Sequence, residues 1–400
     1  MKIKDCKFSG IKAGIKKDKF DLGLIYFTEP STCVAAFTKN LLKSNSIIVS
    51  ERHLKKTGHI RCIIANSGCA NTACGNDGID ITEQICKVLA EKLNLLPEEV
   101  LVASTGVIGE PLPKEKILSN LDHLISSLGT GKGKIFNFAR AIMTTDTKPK
   151  VVYKSLKMKS QKGNILCIAK GAGMIAPDLC LNKQHATMLV FLLTDFLLCR
   201  EQMEQLMQHI IVPTFNSFSI DGDTSPNDTI FFVTTNISNN VIVKDKEFKE
   251  LVEHFKIVCE EIVWKLLSDG EGVTKVIKII IKNSESKNAE KIAKTIANSL
   301  LVKTAFHGAD PNWGRILSCC GRSNANIDIN KINIWIGKHQ VVKNGTSNFV
   351  KDSLVRKEMK KKFFEIIIDA GNTYCKNLPY SFFTTDLSKE YVEINSQYKT

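Results

Sequence analysis

Segments with a helical spacing of apolar residues alternate with segments of strand spacing along all 400 residues. That alternation excludes a helical bundle or an all-β sandwich and predicts an α/β (mixed α+β) fold. Asp80-x-x-Glu83 reads as a capping box ahead of a helix with Ile85, Val88, Leu89 and Leu93 on one face. Pro113 opens a second helix that turns Ile117, Leu118, Leu121, Leu124, Ile125 and Leu128 inward and closes at Gly129. A longer helix is predicted over Phe248–Leu267 and a shorter one through Ile292 to Leu300. Strand-like runs fall at Cys62–Ala65, Val100–Ala103, Ile165–Ala169, Thr229–Thr235, Val276–Ile281, Ile332–Ile336 and Phe363–Asp369. The polar run Lys282–Asn288 suggests a boundary between a larger domain, 1–282, and a smaller C-terminal α/β domain, 283–400.

Composition narrows the class. Hydrophobic residues at 43% and charged residues at 24% fit a globular chain. The most apolar stretch, Met188–Cys199, is broken by Thr194 and Asp195 and falls short of the ~20 residues of a membrane span. The start, Met1-Lys-Ile-Lys-Asp-Cys6, shows no leader pattern, so a soluble, cytoplasmic protein with no membrane partner is expected. Fifty-five Lys and Arg against 41 Asp and Glu leave a net charge of +14. The lysines are dispersed and no nucleic-acid-binding motif accompanies them, so a solvated basic surface is the expectation. Thirteen cysteines, an odd number, include no Cys-x-x-Cys and no histidine at ligand spacing. No metal is assigned, and the thiols are expected to be reduced and mostly buried.

Three glycine motifs fail on inspection. Gly171-Ala-Gly173 follows a strand, but Pro177 blocks the helix a dinucleotide fingerprint requires. Gly129–Lys134 has the wrong spacing for a P-loop, and Asp221–Pro226 has Pro where a calcium loop needs Gly. Five other stretches of small and polar residues interrupt the periodic pattern, at Asn66–Asn71, Ser104–Gly109, Thr144–Thr147, Ser268–Gly272 and Gly308–Arg315. Their glycines allow close backbone approach and their Ser, Thr and Asn offer neutral hydrogen bonds, as for a small polar substrate held by loops.

The segment Lys170-Gly-Ala-Gly-Met-Ile-Ala-Pro177, followed by His185-Ala-Thr-Met-Leu189, resembles the self-cleavage region of the ornithine acetyltransferase (glutamate N-acetyltransferase) family of arginine biosynthesis. Ser104–Pro113, Ala141–Thr147, Asp221–Thr229, Asp269–Lys275, Val302–Arg315 and the ending from Asp386 to Thr400 match in order, over nearly the whole chain. The resemblance implies an N-terminal-nucleophile type fold and a self-processing acyltransferase without a cofactor. The chain would cut itself between Ala186 and Thr187, giving an α chain, 1–186, and a β chain, 187–400, assembled as an α2β2 heterotetramer. Acetyl would pass from N2-acetylornithine to glutamate through an acetyl-Thr187 intermediate in a ping-pong cycle. Use of acetyl-CoA as a second donor stays open. Thr105 and Gly106 match the oxyanion-hole pair, and Thr147, Lys170, Thr187, Glu271, Asn395 and Thr400 match the substrate contacts.

The chemistry is coherent in itself. A Thr hydroxyl needs an adjacent base, and a new α-amine at residue 187, with an ordinary pKa of ~8, would supply one. From the residues alone Thr187 reads first as the N-cap of an apolar helix over Met188–Leu198, and the resemblance reverses that reading. Two other functions stay open: an N-terminal-nucleophile aminopeptidase or amidase using the same Thr, and more remotely a non-catalytic basic protein that binds nucleic acid. The chain also departs from the family. Eight residues, Asp178–His185, stand between Pro177 and Ala186, where the family has about two; by loop entropy this costs only ~1 kcal/mol. His307 and Cys319-Cys320 replace residues that are usually aromatic or small.

Overall fold

The computed structural model describes residues 1–159, 161–177, 180–181, 188–235, 245–372, 374–375 and 377–397. The fold is mixed α/β, and two compact units divide the described residues: Met1–Asn216 with Thr224–Leu266, and Ser217–Asp223 with Leu267–Gln397. The expected break between 282 and 283 is therefore misplaced. Val276–Lys282 is a central strand of the second unit, and the polar run after it is the turn that leads into that unit's first helix.

The first unit is built on a nine-stranded sheet with the path β4-β3-β2-β9-β8-β6-β5. Its strands are β1 (Cys6–Ile11), β2 (Leu22–Phe37), β3 (His59–Cys69), β4 (Val100–Val107), β5 (Lys150–Lys157), β6 (Lys162–Lys170), β7 (Cys180–Leu181), β8 (Leu189–Thr194) and β9 (Thr229–Thr234). β3/β4 and β8/β9 are parallel and the other pairs antiparallel. β1 and β7 pair with the long β2, and β7 lies within the eight residues, Asp178–His185, that stand where the family has about two. Period-two alternation separates two layers. Leu22 and Leu24 pack with Cys62 and Ile64, whereas Ile25 and Phe27 join Ile63, Ala65 and Phe138.

Helices α1 (Asn45–Thr57), α2 (Gly75–Leu93), α3 (Lys114–Ser119), α4 (Leu121–Ser126), α5 (Lys132–Ala141), α6 (Arg200–Ile210) and α7 (Asp245–Ser268) accompany this sheet. Ser44 caps α1 by accepting from Ile47 N at 3.3 Å, and Gly58 ends it in the left-handed region. α2 starts five residues ahead of the expected cap at Asp80. Gly78, in its first turn, is packed so tightly that an added Cβ would overlap the Asn45 side chain. The helix expected from Pro113 to Gly129 breaks at Asn120, whose amide donates to Lys116 O at 2.8 Å, and Gly129 instead bridges to Phe8.

The apolar run after Met188 is strand β8 and not the helix expected over Met188–Leu198. Every residue from Leu189 to Thr194 is buried, and β8 has neighbours on both edges. Phe191 meets Phe138 of α5 edge-on at 5.0 Å. On β9, next to β8, Phe232 meets Phe255 of α7 at 5.4 Å. A run covered on both faces loses the polar half of its alternation, and periodicity then cannot separate strand from helix.

The second unit has a six-stranded sheet in the order β13-β12-β11-β14-β10-β15. Its strands are β10 (Val276–Lys282), β11 (Asn333–Ile336), β12 (His339–Lys343), β13 (Thr346–Ser347), β14 (Phe363–Asp369) and β15 (Tyr380–Thr385), with helices α8 (Ser286–Ala297), α9 (Leu300–Gly308), α10 (Trp313–Gly321), α11 (Asp352–Met359) and α12 (Lys389–Gln397). Ile277, Ile279 and Ile281 bury one face against Ile292, Ile296, Val302 and Phe306. The other face carries Lys278, 3.9 Å from Glu365 and stacked over Phe383. Among the described residues no helix is long and apolar enough to cross a membrane. Cys62, Cys86, Cys167 and Cys259 are free and buried, and burial pushes each thiol up, as expected of cysteines that serve as small core residues.

Candidate active site

The parallel pair β3/β4 ends in a bulge where Gly68 lies opposite Gly106, and Cys69 opposite both Thr105 and Val107. Gly106 has φ of 135°, and a Cβ there would lie 2.3 Å from Gly68 C and 2.5 Å from Cys69 N. Only glycine fits. This contact sets the path of the backbone around Thr105 and Gly106, the two expected oxyanion donors.

Beneath it lies a buried polar network. Ser104 Oγ donates to Asn66 Oδ1 at 2.6 Å and lies 2.6 Å from Ser46 Oγ. Asn71 donates to Thr82 Oγ1 at 2.7 Å, and Asn227 donates to Ala70 O at 2.5 Å and Ser104 O at 2.8 Å. Such groups cost free energy when left unpaired, so a satisfied network fixes one geometry for the strand ends.

Lys170, the last residue of β6, is buried and donates from Nζ to Thr105 Oγ1 at 3.1 Å. The structure thus brings together two expected site residues 65 positions apart. Alongside them, Asp146 forms a 2.5 Å ion pair with Lys150 and accepts from Gly171 N at 2.7 Å. Burial raises the Asp146 carboxyl, but the Lys150 and Lys170 ammoniums and the Gly171 N–H outweigh it and hold its pKa at about 2. Thr147 is exposed in the loop after α5. Lys16 donates to Met143 O at 2.6 Å; burial, with Lys19 and Lys170, brings it to about 8 against the pull of Asp21 and Asp146.

A test of the Asp146 anchor follows. Its carboxyl lies below the ordinary ~3.9, so it contributes stability above that value, which is lost as pH falls through about 2. Asp146→Asn leaves Lys150 buried without its charge partner and should cost roughly 3–5 kcal/mol in urea unfolding at pH 7. A loss under 1 kcal/mol would contradict the anchoring role.

In the second unit Glu271 is buried and accepts from Asn395 Nδ2 at 2.8 Å. Gly272, at φ of 63°, seats this loop against α12, since a Cβ would lie 2.4 Å from Tyr391 N. Tyr391 OH donates to Asp221 Oδ2 at 3.4 Å; burial, then Asp221 and Glu271, push its phenol up. Asp386 ties the same loop by accepting from Thr274 N at 2.9 Å and Lys275 N at 2.8 Å, and His307 Nδ1 lies 2.8 Å from it. His307 therefore has a place in the loop's support. Ala186, Thr187 and Thr400 lie outside the described residues.

The ArgJ family model matches residues 7–400. The chain belongs to the ArgJ family. Among its ArgJ relatives, the "Arginine biosynthesis bifunctional protein ArgJ" of Caldanaerobacter subterraneus is 36% identical over 401 residues, covering 98% of this chain and 96% of that protein. The "Glutamate N-acetyltransferase" of Methanocaldococcus jannaschii is 36% identical over 402 residues, covering 98% and 97%. These relatives are acetyltransferases or arginine-biosynthesis enzymes by name. The crystal structure of the Mycobacterium tuberculosis ornithine acetyltransferase with ornithine aligns at 32% identity and a TM-score of 0.39, over 44% of this chain and 94% of that one.

Within this ArgJ chain, reading by residue type overlooked Lys16, Lys150 and Asn227. Polar residues interrupting otherwise apolar strands were the available signal, at Asn66 and Ser104, but their partners are remote in sequence.

Proposed function

We propose that this chain transfers acetyl from N2-acetylornithine to glutamate through Thr187, after cutting itself between Ala186 and Thr187. The observation that carries the reading is the buried Lys170–Thr105 contact at the ends of β6 and β4, beside β8, whose first residue lies two positions beyond Thr187. Family membership supplies the reaction class.

In the cutting step Thr187 Oγ bonds to the Ala186 carbonyl carbon and the carbon–nitrogen bond breaks. Water then hydrolyses the ester, leaving the Ala186 carboxylate and a free α-amine on Thr187. That amine takes the hydroxyl proton as Oγ attacks the acetyl carbonyl, and the departing ornithine nitrogen carries the proton away. Glutamate's amine repeats the attack on acetyl-Thr187. Each tetrahedral intermediate places an oxyanion by Thr105 and Gly106, where one lost donor typically costs ~10²–10³ in rate. Lys170 suits a substrate carboxylate and Glu271 a cationic side chain.

Purified protein incubated with N2-acetylornithine and glutamate should yield ornithine and N-acetylglutamate in equal amounts, and two chains by mass in place of 44.5 kDa. Free acetate as the main product would favour the aminopeptidase or amidase alternative. Glutamate acetylated from acetyl-CoA alone would add a second donor. Native mass measurement tests the α2β2 assembly.

A further inference from the structure

The loop between β1 and β2 carries Lys12, Lys16, Lys17 and Lys19, of which Lys16 is half-buried and the other three exposed. The loop is folded around a buried carboxylate. Asp21 accepts from Ala13 N at 2.6 Å and from Lys16 N at 2.9 Å, and its carbonyl accepts from Ser67 N at 2.9 Å. The last of these bonds ties the loop to the end of β3. From there the Lys16 side chain crosses the β3/β4 bulge. Gly68 has φ of 103°, and a Cβ on it would lie 2.9 Å from Lys16 Cγ, so glycine leaves room for the lysine stem. Past Gly68 the ammonium donates to Met143 O at 2.6 Å, at the head of the loop that carries Asp146 and Thr147, itself an expected substrate contact.

That bond uses one of the three ammonium donors, and Met143 O is the one acceptor of Lys16 Nζ among the described residues. The nearby acids are engaged by other groups: Asp21 by the two N–H groups of its loop, Asp146 by Lys150 and by Gly171 N. Lys16 is therefore a cation drawn in from solvent, directed by its loop to the strand ends where Lys170 meets Thr105, with donors to spare for an anion. The two substrates differ in what they ask of such a place. N2-acetylornithine has one carboxylate and glutamate has two.

We infer that Lys16 receives the side-chain carboxylate of glutamate and so selects a dicarboxylic acceptor. This rests on the proposed transfer to glutamate, with Lys170 taking the carboxylate that both substrates share. Burial lowers the Lys16 ammonium to about 8; Lys19 of its own loop and Lys170 of β6 push the same way, against Asp21 and Asp146. Facing it from β3 and β4, Ser67, Gly68, Thr105 and Gly106 carry no charge, and Lys116 of α3 is occupied with Gly14 O at 2.7 Å.

The test measures kcat/KM for glutamate and for glutamine, with N2-acetylornithine as donor, in the wild type, Lys16→Met and Lys16→Arg. Glutamine keeps the α-carboxylate and the chain length and lacks only the side-chain charge. If glutamine is bound without being acetylated, its inhibition constant against glutamate is compared in the same way. Loss of a charge-assisted hydrogen bond in Lys16→Met should lower the preference for glutamate over glutamine about tenfold to a hundredfold, whereas damage to the fold lowers both values together. Lys16→Arg keeps the charge and should keep most of the preference. An unchanged preference in Lys16→Met overturns the inference. Should Lys16→Met not fold, the wild-type preference measured against pH decides. Lys16 carries its charge below about 8 and loses it above, so the preference should fall as pH rises through that value, and a level profile overturns the inference. A wild type that uses both acceptors equally well overturns this inference alone, while one that moves no acetyl from N2-acetylornithine to glutamate removes the functional reading itself.

Discussion

Thr187→Ala should leave one species of 44.5 kDa and no measurable acetyl transfer. The substitution removes the attacking oxygen for cutting and transfer together, and loss of a nucleophile costs about 10⁴-fold or more where the remaining groups act only with it. Folding should be unaffected, because β8 starts beyond this position and its ladders to β6 and β9 use backbone groups from residue 188 onward. Thr187→Ser keeps the hydroxyl and should retain both activities at a reduced rate. An uncut Thr187→Ala chain that still moved acetyl would show that another group carries it.

Gly106→Ala should be the most damaging change of a single methyl group. The added carbon would meet the Gly68 carbonyl carbon at 2.3 Å, and φ of 135° is strained for any side chain. The β3/β4 bulge must open, and the backbone N–H groups around Thr105 and Gly106 turn from the place proposed for the oxyanion. Transfer should fall by ~10²–10³ from the lost donor alone. Strain of roughly 1–3 kcal/mol should appear separately in thermal melts, at roughly 1–2 °C per kcal/mol for a protein of 400 residues. Wild-type turnover in a chain with a lowered melting temperature would leave Gly106 a structural residue only.

Mixed α/β character and the strands β6, β9, β10 and β14 were readable because their apolar runs are long and bounded by turns. The run after Met188 misleads for the same physical reason that makes it central: both faces are covered, so no polar alternation survives. The domain boundary misleads because polarity marks exposure and not separation. Lys282–Asn288 runs from the end of β10 through a short turn into α8, all inside the second unit, whereas the actual division falls within the last turn of α7, a helix with no compositional break. That Ser217–Asp223 belongs to the second unit was not legible. This segment is claimed by partners on β15, far along the chain, through Phe383 N to Ser217 O at 2.7 Å and Thr385 Oγ1 to Ile220 O at 3.2 Å. The motifs also pointed to Thr105, Gly106, Lys170, Glu271 and Asn395, which the fold places at the ends of β4 and β6, in the loop after α7 and on α12. Next to Thr105 and Lys170 the supporting hydrogen bonds come from Asn66, Asn227 and Asp146, whose partners are remote in sequence.

The strand order carries one more consequence. A scission after residue 186 would not yield two separable bodies, because the later fragment's β9 and β8 sit between the earlier fragment's β2 and β6. The pieces would be interdigitated like the teeth of two combs, sharing the ladders β2/β9 and β6/β8. They should co-elute in native buffer at any dilution and come apart only in denaturant. Once parted, they should reassemble poorly, since the flanking strands would close over the gap that β8 and β9 had filled.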